Sequence, residues 1–323
     1  MARLAKKIGI FLIPFIILFI LFFIFEPYDY FALKGDAIYL SKPLSSVREV
    51  MIKKPSKIIF GDSQMANLNT EYIGELTGEE YAMLGFGGAG LGESMDLFWF
   101  ATENTKLEKV VFGVSFYSLG RYSDEGRIPD VLEQAKSPFK FVSRFNYWLE
   151  AINTVKYKTV NAAAKLLDKP EWLWYPEDPT AFAPQDIPQQ AGKVYRKNLE
   201  DYADVIYQQV GDSYRIDPRV YERFSEIIDY CDENDIELVF VFPPVHKSIF
   251  TNVIEPRGIG DELDEAKQFF IDRAIVYDMQ FVNDFTSDDD NFFDGFHLAS
   301  EQKKYFAKVL FGDVDTDDVR IYR

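Results

Sequence analysis

Two histidines occur in this chain, His246 and His297, and one of them stands in a setting that can do chemistry. His297 closes the stretch Asp294-Gly-Phe-His297, so a carboxylate three residues earlier can take one ring N–H and leave the other nitrogen as a base. A base of this kind needs a nucleophile. The stretch Lys57-Ile-Ile-Phe-Gly-Asp-Ser-Gln-Met-Ala-Asn67 offers Ser63, placed where an apolar strand breaks at Gly61 and gives way to helical spacing. A hydroxyl on such a strand-to-helix turn projects above the carboxyl edge of a sheet. The N–H groups of the first helical turn then point toward an oxyanion forming on the substrate. Taken alone, Gly-Asp-Ser reads as a turn with an N-cap. The distant Asp-x-x-His turns it into a candidate for acyl chemistry, with Ser63 as nucleophile, His297 as base and Asp294 orienting the ring.

Positioning these groups requires strands that end at one edge. Apolar runs at 58–60, 81–84, 110–114, 236–242 and 279–284 read as strands. Helical spacing occupies 45–52, 218–233 and 259–275, with a last helix capped by Ser300 and running to Leu310. Strand, crossover helix and strand in repetition mean a parallel sheet covered on both faces, with functional residues at the carboxyl ends of its strands. Ser63, Gly88, Ser115, His246 and the 294–297 loop all fall at such ends. His246 is a candidate substrate contact, or equally a loop histidine satisfied by backbone. Asp62 and Gln64 beside Ser63, and Tyr117 beyond Ser115, are further candidate substrate contacts. The run Gly85-Phe-Gly-Gly-Ala-Gly90-Leu-Gly92 allows close backbone approach, but its spacing is not that of a dinucleotide fingerprint.

Gly-Asp-Ser63 near the start, paired with Asp294-x-x-His297 near the end, resembles the SGNH (GDSL-type) hydrolase superfamily. The resemblance implies a flavodoxin-like three-layer α/β/α domain with a parallel sheet and a catalytic triad. It also implies an oxyanion hole made by the N–H groups of Ser63 and Gly88. Family members carry Gly-x-Asn after the third strand, where this chain reads Gly113-Val-Ser115, so Ser115 stands in the place of an oxyanion donor. Loss of one such donor costs about 10² to 10³ in turnover. The same departure, with an N-terminal anchor, resembles the membrane-anchored SGNH-like partners of membrane-bound O-acyltransferases in cell-envelope polysaccharide acylation. That resemblance implies serine-dependent acyl transfer, as an O-acyltransferase or esterase, through an acyl-serine and without a cofactor. The alternative it leaves is a weak or inactive glycan-binding scaffold subunit of an acylation complex.

The remaining features set the compartment and the partners. The apolar run from Ile8 to Phe25, broken by Pro14, follows Arg3, Lys6 and Lys7. At about 1.5 Å per residue it nearly crosses a hydrocarbon core of about 30 Å. No small-residue cleavage site follows, so an uncleaved single-pass anchor is expected, with a cytoplasmic N-terminus and an extracytoplasmic domain. The expected organisation is a tip and anchor at 1–27, a connector at 28–55 that lifts the domain off the bilayer, a domain at 56–311 and an acidic, frayed tail at 312–323. A net charge of −17 and a pI of about 4.6 disfavour a nucleic-acid partner. The lone Cys231, on the apolar face of a helix, forms no internal disulfide and reads as a buried thiol. An insertion at about 120–214 combines a helical stretch, 139–167, with a proline- and aromatic-rich loop. There Trp172, Trp174 and Tyr175 form either a sugar-stacking platform or pins that fix the loop to the core. The cluster Asp288-Asp-Asp290 lacks the alternation and closing glutamate of a calcium loop, so no metal is expected.

Overall fold

Four short runs, Lys-Ile-Ile-Phe, Lys-Val-Val-Phe-Gly, Glu-Leu-Val-Phe-Val-Phe and Ile-Val-Tyr-Asp, are too short and too β-branched or aromatic to prefer helix, and each can bury both of its faces. The computed structural model describes residues 2–26, 28–31, 43–120, 126–167, 199, 202–208, 210, 214–312 and 314–323. In it these runs, with one further pair of residues, form the parallel part of a six-stranded sheet. The strands are β1 (Lys57–Phe60), β2 (Ala82–Met83), β3 (Lys109–Gly113), β4 (Glu237–Phe242), β5 (Ile275–Asp278) and β6 (Arg320–Tyr322). Their order is β2-β1-β3-β4-β5-β6, with β6 antiparallel to β5 and the rest parallel. The fold is therefore α/β with a mostly parallel sheet.

The helices used below are α1 (Ala2–Phe25), α2 (Pro43–Lys53), α3 (Ser63–Ala66), α4 (Thr70–Thr77), α5 (Leu91–Asn104), α6 (Phe116–Leu119), α7 (Ile128–Lys136), α8 (Pro138–Val142), α9 (Phe145–Leu166), α10 (Pro218–Glu233), α11 (Gly260–Ile271) and α12 (Ser300–Phe311). Alternation along the strands splits the core in two. Phe60, Phe112 and Phe240 lie in register across three strands and pack with Phe224 of α10 and Phe270 of α11 on one face. Ile59, Val111, Val239 and Val241 face the other way, onto Met65, Ile73 of α4 and Phe306 and Val309 of α12. Both faces are thus dry, as a parallel sheet requires. Because β2 and β3 flank β1 on opposite sides, the strand order reverses there, and in sheets of this kind functional residues gather at the carboxyl ends of the strands at the reversal, here β1 and β3.

Several expectations need correction. The last parallel strand is Ile275–Asp278, not 279–284, because α11 stops at Ile271 and a turn onto the Phe270 carbonyl releases Ile275 to pair with Val239. The acidic tail is not frayed: 320–322 add an edge strand to β5, and Tyr305 of α12 donates to Asp318 at 2.6 Å. The segment before β1 is no spacer, since Leu44, Val47 and Val50 of α2 are buried and Tyr30 stacks on Phe141. The stretch 139–167 is two helices, interrupted where Arg144 takes extended backbone. Ala299, not Ser300, is the N-cap of α12. The expected membrane span finds no support: among the described residues no helix is long and apolar enough to cross a membrane. Within α1 the side chains of Leu18, Phe19 and Phe22 lie outside those described.

One buried ion pair fixes the end of β5. Lys267 of α11 donates to both oxygens of Asp278 at 2.9 Å and to the Gln280 carbonyl at 2.7 Å, while Asp278 also accepts from the Gln280 N–H. Burial pulls the Lys267 ammonium below its ordinary range, with the Asp278 charge opposing it. Removing one partner of such a pair strands the other in low dielectric. Lys267→Met should therefore cost about 3–5 kcal/mol of unfolding free energy in urea titration, and Asp278→Asn added to it should restore part of the loss.

Candidate active site

The turn that carries Ser63 is seated by missing side chains. Gly61 at the end of β1 has φ +143°, and a Cβ there would fall 2.7 Å from Met65 Cγ; a Cβ on Gly113, at the end of β3, would fall 2.1 Å from the same atom. Glycine at both strand tips lets Met65 drop between them, which lays α3 across the sheet edge. Asp62 caps that turn by accepting the Gln64 N–H at 3.0 Å, and its carbonyl accepts the N–H groups of Met65 and Ala66. The first-turn donors expected to face an oxyanion are therefore taken. Of that turn, the Ser63 N–H alone has no hydrogen bond among the described residues.

Ser63 Oγ lies 2.7 Å from His297 Nε2 across 234 positions of sequence. On the far side of the ring, Nδ1 lies 2.7 Å from Asp294 Oδ2 and 3.0 Å from Oδ1. A carboxylate only accepts, so Nδ1 carries the proton and Nε2 accepts from the serine hydroxyl. Asp294 Oδ1 also receives the N–H groups of Phe296 and His297, at 3.1 and 2.7 Å. Gly295, with φ +75°, makes the turn that brings those N–H groups onto one oxygen. All three side chains are buried. The expected nucleophile, base and orienting acid are thus brought together in one hydrogen-bonded line.

The surrounding candidates sort by what they touch. Gly88 takes a left-handed φ of +67°, and its carbonyl accepts from Arg127 at 2.9 Å. Arg127 is itself held by Glu93; burial pushes that carboxyl up, but its bonds to Arg127 and to the Gly90 N–H outweigh burial and hold it below its usual range. Ser115 is not aimed at an oxyanion. Its hydroxyl donates to Asp62 Oδ2 at 2.8 Å and caps α6 by accepting the Ser118 N–H, so a buried carboxylate has claimed the proton. His246 uses both nitrogens within the protein: Nδ1 on Ser248 at 2.9 Å, and Nε2 on Asp289 at 3.2 Å. Its backbone N–H donates to Gly295 at 2.8 Å, so it braces the His297 loop and is not poised as a substrate contact. Gln64 likewise turns its amide onto protein carbonyls. Tyr117 packs its ring edge-on to Phe296, at 6.2 Å between centroids. Trp172, Trp174 and Tyr175 lie outside the described residues.

A residue that sequence patterns missed is Tyr202, in a helical run at 202–208. Its ring meets His297 edge-on at 6.1 Å, and burial followed by the charges of Asp294 and Asp62 pushes its phenol well above the ordinary range. No periodicity singles it out within the insertion; only contact with the ring does. Among the described residues no cluster of three or more His, Cys, Asp or Glu could hold a metal ion. Of the acidic run, Asp288 caps a 3-10 turn and Asp289 holds His246. Compared with known proteins, the chain matches no family model and no curated protein.

Asp62 carries a pH signature. Burial raises its pKa, with the hydrogen bonds from the Ser115 hydroxyl and the Gln64 N–H opposing. A carboxyl whose folded pKa lies above its unfolded value stabilises the fold when protonated, and that stability is lost as pH rises through the folded pKa. Asp62→Asn keeps an acceptor for the Gln64 N–H and has no charge to bury. Its melting temperature should match the native protein at about pH 3, near the unfolded carboxyl value, and exceed it by a growing margin as pH rises. A margin that shrinks with pH would contradict this account.

Proposed function

We propose that the chain performs serine-dependent acyl transfer. The observation that carries this is the 2.7 Å contact of Ser63 Oγ with a histidine nitrogen whose opposite nitrogen is held by a buried carboxylate. His297 takes the Ser63 proton as the oxygen attacks an ester or thioester carbonyl. The negative charge passes to the carbonyl oxygen, where the N–H groups of Ser63 and Gly88 receive it. Collapse expels the leaving group, which takes the proton from His297, and leaves an acyl-serine. A second hydroxyl, from a sugar or from water, then gives its proton to His297 and attacks the acyl carbonyl, and the Ser63 oxygen leaves by taking that proton back from His297. Asp294 keeps the ring in the tautomer both steps need.

The acceptor in this reading is a cell-envelope polysaccharide, in the manner of the SGNH (GDSL-type) hydrolases that the two motifs resemble, with a membrane-bound O-acyltransferase as partner. The strand order 2-1-3-4-5, with a site where it reverses, supports the flavodoxin-like three-layer form of that family. The same reading makes α1 an uncleaved anchor with the domain outside the membrane, in keeping with Arg3, Lys6 and Lys7 ahead of its apolar run. A second reading, a scaffold that binds glycan and turns over weakly or not at all, is favoured by the commitment of Ser115 to Asp62, which removes one oxyanion donor.

A fluorophosphonate probe separates the two. The native protein should form a covalent adduct and Ser63→Ala none, while His297→Ala should slow labelling by at least about 10²-fold, the scale of general-base assistance. A native protein that resists the probe at Ser63 leaves the scaffold reading.

A further inference from the structure

We propose that Gln64 sets the register between Ser63 and His297, as a positioning residue and not a substrate contact. The proposal rests on the serine mechanism above. Gln64 follows Ser63 in the same turn and is 8% exposed. Its side chain leaves α3 and donates from Nε2 to the Phe296 carbonyl at 2.9 Å and to the Pro244 carbonyl at 3.2 Å, 232 and 180 positions away.

The Phe296 carbonyl and the His297 N–H belong to one peptide group, and that N–H donates to Asp294 Oδ1 at 2.7 Å. The peptide plane from which the imidazole hangs is thus held at both ends, by Asp294 at its N–H and by Gln64 at its oxygen. A peptide plane is rigid. Fixing both ends removes the rotation that would swing Nε2 away from Ser63, and the fastening point is the nucleophile's own turn. The Pro244 bond ties the loop after β4 into the same clamp.

The other end of the amide argues against a role in substrate binding. Gln64 Oε1 is fully buried and has no hydrogen-bond partner among the described residues. Reversing the amide would set that oxygen against two carbonyl oxygens, so the orientation is dictated by the two acceptors. An enclosed oxygen and a committed nitrogen leave nothing to offer a ligand. A lone buried acceptor is a cost that native structures rarely carry, and here it accompanies the bond that aims the base.

The test is labelling of Ser63 by a fluorophosphonate over a range of probe concentrations, which separates the maximal rate from the half-saturating concentration. Gln64→Met, equal in length but with no donor, should lower the maximal rate about 10- to 10²-fold, as small misplacements of reacting groups do, with half-saturation unchanged. Gln64→Glu provides a second arm. Its protonated carboxyl can donate to the Phe296 carbonyl and its carboxylate cannot, so its deficit relative to the native protein should be smaller at acidic pH than at alkaline pH. A folded Gln64→Met protein labelled at the native maximal rate would overturn the assignment, as would raised half-saturation with the maximal rate kept, the signature of a substrate contact. If Gln64→Met does not fold, a Gln64→Glu deficit that ignores pH overturns it instead. A native protein that never labels at Ser63 removes the reaction and this assignment together, and is read from the native arm alone.

Discussion

Two buried carboxylates organise the site, and most of the local structure follows from the need to give each of them donors. A carboxylate away from water is tolerated only where hydrogen bonds replace its hydration. Asp294 obtains the N–H groups of Phe296 and His297 and the ring Nδ1; Asp62 obtains the Gln64 N–H and the Ser115 hydroxyl. The first set of bonds fixes the loop that carries His297. The second fixes the turn that carries Ser63. Both charges also act on Tyr202, whose phenol they push up after burial has done so. Ser63 and His297 meet because each sits on a backbone folded around its own acid.

How much of this was legible depended on whether the signal was local. The turn from β1 into α3 was readable because an apolar run, a glycine and an N-cap succeed one another within seven residues. The 294–297 turn was readable because aspartate and histidine sit three apart. Strand β5 was misplaced because Ile275 fits a helical period as well as a strand, and what makes it a strand is pairing with Val239 far away. Strand β6 was hidden in an acidic tail that offers no apolar run, yet its backbone completes an edge. Ser115 was aligned correctly with a strand end, but its partner could not be read. Asp62 lies 53 positions earlier, and no pattern says that a buried carboxylate will outbid an oxyanion for its proton.

The same distinction separates the sequence neighbours of Ser63 from ligand contacts. Proximity to a nucleophile in sequence suggests proximity to substrate. In the fold, the first turn after β1 is also the place where three loops converge, and a side chain there meets protein carbonyls before it meets anything else. Gln64 and His246 both belong to this inner ring: one fastens the Phe296 carbonyl, the other the Gly295 carbonyl. Aromatic rings also border the site, namely those of Phe296, Tyr117 and Tyr202.

Under the acyl-transfer reading, that aromatic border bears on the choice between water and a sugar as acceptor. A covalent acyl-serine persists only as long as no competent hydroxyl reaches it with a base alongside. Ser63 and His297 are 9% and 6% exposed, and Phe296 and Tyr202 lie edge-on against the imidazole. A site this dry strengthens each hydrogen bond inside it and thins the water available for the second step. Reduced oxyanion assistance slows acylation and deacylation alike, so it does not favour either acceptor. An acceptor larger than water would have to displace the aromatic edge to bring its hydroxyl to His297, so Phe296 and Tyr202 are the side chains that would tell a sugar from water.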